Sequence, residues 1–145
     1  MGISTDETYM KAALSLAERA WREYDEVPIG CIIVNKSGQI IAETFNQKES
    51  LQQATAHAEI LAINRACEKL GTWRLQGCRL FVTCEPCAMC AGAIIQSRLD
   101  EVIYGCQEPK FGCAQSLYPI LSEARHNHRV TLTSGLFEGG VLRFA

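Results

Sequence analysis

The sequence predicts an α/β fold, a three-layer α-β-α sandwich around a mixed five-stranded sheet. Three observations lead there. Two β-branched runs flank a turn at residues 36–38, a hairpin that brings antiparallel pairing. Beyond it, helical and strand patterns alternate as helix, strand, helix, strand, helix, strand, which requires crossovers and implies a largely parallel sheet with helices on both faces. The 145 residues, 48% hydrophobic and 21% charged, are enough to bury a core of that kind.

Each element has its own signal. Ser4 and Glu7 stand in capping-box spacing, and Met10, Ala13, Leu14, Ala17 and Trp21 follow at helical intervals. They predict a first helix over roughly residues 6–23. "IGCIIVNKSGQIIAETFN" (29–46) holds the hairpin strands. His57 to Leu70 carries Ile60, Leu61, Ile63 and Cys67, with Gly71 placed to end a second helix. "CRLFVTC" (78–84) is a strand by its β-branched and aromatic content. Cys87 to Gln96 is alanine-rich and starts right after Pro86, a favoured place for proline, so it reads as a third helix. "EVIYG" (101–105) is a fourth strand, Ser116 to Ala124 a short helix despite Pro119, and "RVTLT" (129–133) a fifth strand. With no repeat, low-complexity tract or Pro/Gly/Ser linker, residues 1–145 are expected to form one domain.

Composition narrows the function classes. The formal charge of −2 and pI of about 5.9 give no global electrostatic case for nucleic acid, because phosphate affinity rests on Lys and Arg; a local patch stays open. No run approaches the length of a membrane-spanning helix. "MGISTDETYM" lacks the basic and apolar regions of a signal peptide, and it matches a myristoylation signal only in part. The eight cysteines (31, 67, 78, 84, 87, 90, 106 and 113) are therefore expected to be reduced thiols in a cytoplasmic protein, some of them metal ligands.

The chemistry concentrates in two stretches. In "EPCAMC" (85–90), Cys87 and Cys90 stand at i and i+3 in a first helical turn, so both sulfurs can reach one ion. The dipole and free N–H groups there favour thiolate. Of three histidines, His57 opens the second helix, while His126 and His128 fall in a polar loop. In "HAE" (57–59), residues two apart on a regular helix diverge by about 200°. His57 and Glu59 can converge only if the ion lies off the helix tip. Three protein ligands would leave the fourth tetrahedral position for water, the mark of a catalytic zinc. Glu59 would then move protons beside it. A redox Cys pair has no use for "HAE". A structural zinc would need a fourth ligand, for which Cys84, Cys106 or Cys113 is available. Together the two stretches match the H-x-E…P-C-x-x-C signature of zinc-dependent nucleobase deaminases.

Beyond that signature, the chain resembles the bacterial tRNA-specific adenosine deaminases of the cytidine deaminase-like superfamily. "VPIG" (27–30), "TAHAEILAI" (55–63), "WRL" (73–75), "EPCAMCAGAIIQSR" (85–98), "YGC" (104–106) and "NHRV" (127–130) carry the resemblance from about Ala12 to Gly135. It implies a cytidine deaminase-like fold, zinc (Zn2+) held by His57, Cys87 and Cys90, and Glu59 as proton shuttle. It further implies Asn46 holding the target nucleoside, Val27, Pro28 and Cys84 as pocket wall, and Ala58 meeting the substrate through its backbone. Glu108 and Lys110 would contact the anticodon loop. On residue type alone, Asn46 is equally a turn residue, and Glu108 and Lys110 a solvated loop. The implied activity is hydrolytic deamination of adenosine to inosine at the wobble position of a tRNA anticodon loop, by a homodimer. Single-stranded DNA is a further substrate if the chain is engineered.

Three departures from the family pattern leave an alternative open. Cys84 replaces a more usual aliphatic residue and Glu108 a more usual Asp. Family members also continue into a C-terminal helix with paired aromatics, which Gly139 and Gly140 would break here, leaving only Phe144. That helix is expected to be missing. "TCEPC" also occurs in free-base deaminases, so a free-base or nucleoside deaminase, such as guanine deaminase, is the competing reading.

Overall fold

The computed structural model describes residues 5–123, 125–126 and 128–136. The cap at Ser4, residue 124 of the expected short helix, Asn127 of "NHRV" and the segment from residue 137 with Gly139, Gly140 and Phe144 lie outside the described residues.

The first helix, α1, runs Thr5–Tyr24 and opens with Asp6 and Glu7, acidic side chains that complement the positive end of its dipole. Its buried stripe is Tyr9, Met10, Ala13, Ala17 and Ala20. The hairpin follows as β1 (Gly30–Val34) and β2 (Ile40–Phe45). A single turn, α2 (Lys48–Leu51), precedes α3 (Ala58–Leu70). Gly71 closes α3 in the left-handed region (φ 70), where a side chain would be strained. Then come β3 (Arg79–Cys84), α4 (Ala88–Gln96), β4 (Glu101–Cys106) and β5 (Thr131–Thr133).

The sheet order is β2-β1-β3-β4-β5. β1 pairs antiparallel with both β2 and β3, whereas β3–β4 and β4–β5 are parallel. The sheet is mixed, but it is less parallel than the alternation of elements implied. The crossover through α3 carries the chain past β1, so β3 runs in the direction of β2 and opposite to the strand between them. Alternation of side chains splits the sheet into two apolar faces. Ile32, Val34, Phe81 and Ile103 pack with α1, and Cys31, Ile33, Leu80, Val82, Val102 and Tyr104 pack with α3 and α4. Those are the three layers.

The expected helix from Ser116 is absent: residues 116–123 are turns. Pro119 has no N–H to give a helical ladder. The surrounding amides bond elsewhere, Leu117 to the carbonyl of Gly112 and Leu121 to that of Cys113. β5 is also shorter than the expected 129–133 stretch. No helix among the described residues is long and apolar enough to cross a membrane.

Candidate active site

Two helix N-termini converge at one end of the sheet. His57 is the N-cap of α3 and Cys87 the N-cap of α4, both extended (φ −75, ψ 151 and φ −78, ψ 179) and neither using its side chain as a cap. An N-cap lies outside the helical screw, so His57 and Glu59 escape the divergence that a regular helix would impose. Cys90 sits in the first turn of α4, fully buried.

The His57 Nδ1 atom is 3.6 Å from the Cys87 Sγ and 3.6 Å from the Cys90 Sγ. All three donors lie within 4.8 Å of one another, a cluster that no other His, Cys, Asp or Glu joins among the described residues. Tetrahedral zinc, with Zn–N of about 2.1 Å and Zn–S of about 2.3 Å, sets a nitrogen and a sulfur about 3.6 Å apart. The donor set and its spacing fit zinc. Cys84, a fourth-ligand candidate from the sequence, instead contacts Cys106 at 3.1 Å between sulfurs, across the β3–β4 register. Hydrogen bonding to Cys106 and burial push the Cys84 thiol well up, so it stays protonated.

Protons among the three donors are shared unequally. A hydrogen bond from Cys90, helped against burial by the His57 imidazole, holds the Cys87 thiol down to about 4. The bond to Cys87 and burial push Cys90 up, and His57 is raised by its bond to Cys87. A divalent cation would take the place of those shared protons. Glu59 is 3% exposed, and burial pushes its carboxyl up to about 7. Its Oε1 is the one buried side-chain oxygen or nitrogen among the described residues without a hydrogen-bond partner. A carboxylate oxygen left unpaired in the interior is costly unless something enters to meet it.

What enters would come through a cavity of ≈ 420 Å³ lined by Val27, Ile29, Asn46, Lys48, His57, Glu59, Cys84, Glu85, Cys87, Glu108 and Phe111. That lies within the size range of small-ligand sites. Of the residues that the resemblance assigned to substrate contacts, Val27, Asn46, Cys84 and Glu108 line it. Pro28 is half-buried beside it without lining it, and Lys110 is exposed on the adjoining loop. Both backbone polar groups of Ala58 are engaged within the protein: its N–H donates to Asn46 Oδ1 at 2.8 Å, and its carbonyl accepts from Thr44 Oγ1 at 2.6 Å. With Oδ1 so occupied, Asn46 keeps its amide N–H groups for the cavity.

Ile29, Lys48, Glu85 and Phe111 line the cavity without having been singled out. Lys48 begins α2, which the Glu26 carboxylate fastens by accepting from the amides of Glu49 and Ser50 and the hydroxyl of Ser50. Glu85 accepts from the amides of Glu108, Ala114, Gln115 and Ser116 and from the Ser116 hydroxyl. Burial raises its carboxyl, but the Ser116 hydroxyl and these amides outweigh it and hold Glu85 below the usual carboxylate range. The carboxylate lies so close that a Cβ on Gly112 would stand 2.5 Å from it. Position between "TC" and "PC" was the only sequence signal for Glu85; its amide partners are long-range and invisible to spacing. His126 and His128 take no part in the donor cluster, and the His128 ring bonds the carbonyl of Leu99.

The profile of the cytidine and deoxycytidylate deaminase zinc-binding region matches residues 3–106. The tRNA-specific adenosine deaminase of Bacillus subtilis is 48% identical over 143 residues, 97% of this chain and 88% of that protein. A solved structure from studies of A-to-I editing by tRNA:A34 deaminases at the wobble position of transfer RNA superposes with a TM-score of 0.90. It is 42% identical and covers 95% of this chain and 99% of its own. Guanine deaminase from Bacillus subtilis, also 42% identical, superposes less well, with a TM-score of 0.68 over 70% of this chain and 64% of its own.

Proposed function

Because the chain belongs to the cytidine and deoxycytidylate deaminase zinc-binding family, we propose that it is a zinc-dependent hydrolase converting adenosine to inosine in a tRNA anticodon loop. His57, Cys87 and Cys90 hold the metal and Glu59 moves the protons. The observation that carries this reading is the unpartnered Glu59 Oε1, buried on the cavity wall beside three donors at tetrahedral spacing. The likeness to tRNA deaminases is 42–48% identity over nearly the whole chain. Guanine deaminases reach 42% over only 70% of it, or span 95% of it at 28% identity with a TM-score of 0.81. This difference supports the choice of substrate.

A bound zinc ion supplies Lewis acidity, which brings the pKa of water toward neutrality. Glu59 would take one proton from the attacking water and give it to the adenine ring nitrogen, then take the second from the hydroxyl so added and deliver it to the departing amine, which leaves the carbonyl. Burial raises the Glu59 carboxyl above the usual carboxylate range, the direction that suits a group moving protons both ways. The amide of Asn46, oriented by the Ala58 N–H, binds and fixes the nucleoside. Val27 and Ile29 give the cavity an apolar wall for the base. The target must leave its stack to enter, which a single-stranded anticodon loop makes easy. Water consumed and ammonia released balance the change from amine to carbonyl.

The same reading carries a homodimer in the cytoplasm. Leu70 and Trp73, 42% and 54% exposed, supply apolar surface for a second copy. The function is tested by incubating zinc-loaded protein separately with tRNA, single-stranded DNA, guanine and cytidine, then identifying products by mass spectrometry. Inosine from tRNA is expected. Xanthine from guanine with no inosine from tRNA would overturn the substrate assignment.

A further inference from the structure

Phe111 is 67% exposed, yet its side chain lines the same cavity as Glu59 and His57. It therefore stands at the rim, one side toward the cavity and most of the ring in water. It has no ring or hydrogen-bonding partner among the described residues. Its backbone is nonetheless fixed. The Gly112 amide closes a turn onto the Glu108 carbonyl at 2.7 Å, enclosing Pro109, Lys110 and Phe111. Glu85 ties down both ends of that turn, through the amide of Glu108 before it and those of Ala114, Gln115 and Ser116 after it. A large apolar side chain carried on a backbone already fixed loses only its own rotamer freedom when a flat partner arrives.

A single base lodged beside Glu59 cannot cover a ring that is mostly outside the cavity. Extruding a base from a strand uncovers the face of its neighbour, and aromatic side chains are the usual recipients of such faces. Lys110, next in the chain and exposed, adds a cation near the path of the strand. On these grounds, and resting on the reading of the site as a nucleic-acid deaminase, we infer that Phe111 is a stacking platform for a nucleobase adjacent to the target adenine. It is a specificity residue for strands over free nucleosides, and it is insensitive to which base it meets, since every base has a flat face.

The test compares zinc-loaded wild type, Phe111→Ala and Phe111→Trp on anticodon stem-loops. One stem-loop is intact, one lacks the base on the 5′ side of the target, and one lacks the base on the 3′ side. On the intact substrate, Phe111→Ala is expected to lose about tenfold in kcat/KM, the worth of one stacked base, with Phe111→Trp near wild type. On one of the two abasic substrates the penalty of Phe111→Ala should fall below about twofold, because the stacking partner is gone. An equal penalty on all three stem-loops, or none on the intact one, overturns the proposal. A wild type that makes no inosine from any stem-loop overturns the nucleic-acid reading itself, and this proposal with it.

Discussion

Glu59 is the residue on which the chemistry turns, and its environment separates two roles that a substitution can tell apart. It lies outside the donor cluster of His57, Cys87 and Cys90, so its removal should not cost the metal. Its unpaired, buried oxygen should matter only when substrate is turned over. Glu59→Ala is expected to lower kcat at least about 100-fold, the lower range for a lost general acid–base, while the zinc content measured by elemental analysis stays at the wild-type level. Full activity in that variant would remove the proton-shuttle assignment. The donor residues were legible because their spacing carries the chemistry: an H-x-E and a C-x-x-C each open a helix. The role of Asn46 was legible only through resemblance. Its bond to Ala58 joins residues twelve apart through the end of a strand and the start of a helix, which no local pattern encodes.

At the scale of elements, the site is made by α3 and α4 beginning at one place and by a loop that Glu85 holds against them. Helix starts and stops were readable from caps, from Pro86 and from Gly71. The segment 107–121 was not, because its amides are satisfied by a carboxylate more than twenty residues upstream rather than by a ladder. The expected helix from Ser116 failed for that reason and because of Pro119. Replacing Glu85 by Gln keeps the shape but removes the charge, and hydrogen bonds to a charged acceptor are the stronger kind. Glu85→Gln is expected to cost about 3 kcal/mol at pH 7 in denaturant unfolding of the zinc-loaded protein. Because the folded-state pKa of Glu85 is lowered, its contribution is fully present above the unfolded carboxylate value of about 4.3. It is lost as pH falls through the lowered folded value. The wild-type advantage should therefore shrink below about pH 4, and metal loss common to both proteins cancels in the difference. An advantage that persists unchanged into acid would mean that packing, not the charge, accounts for it.

Across the whole molecule, three layers leave the ends of β3 and β4 and the starts of α3 and α4 at one place, where a cavity can open without breaking the core. Ligand sites at the carboxyl ends of strands are the rule for open α/β sheets. The layering was legible from alternating apolar patterns, but strand direction was not fully so: pairing across β1 depends on where the crossover lands, which no local window contains. The fold positions the chemistry, and the bare chemistry is common to several deaminases, so the product formed is what distinguishes them. The most direct measurement is mass spectrometry of an anticodon stem-loop incubated with the zinc-loaded protein in heavy-oxygen water, with Glu59→Ala alongside. Inosine at the target carrying the heavy oxygen, formed by wild type and not by the variant, is the predicted result. Unchanged adenosine with wild type, or inosine formed equally by Glu59→Ala, would contradict it.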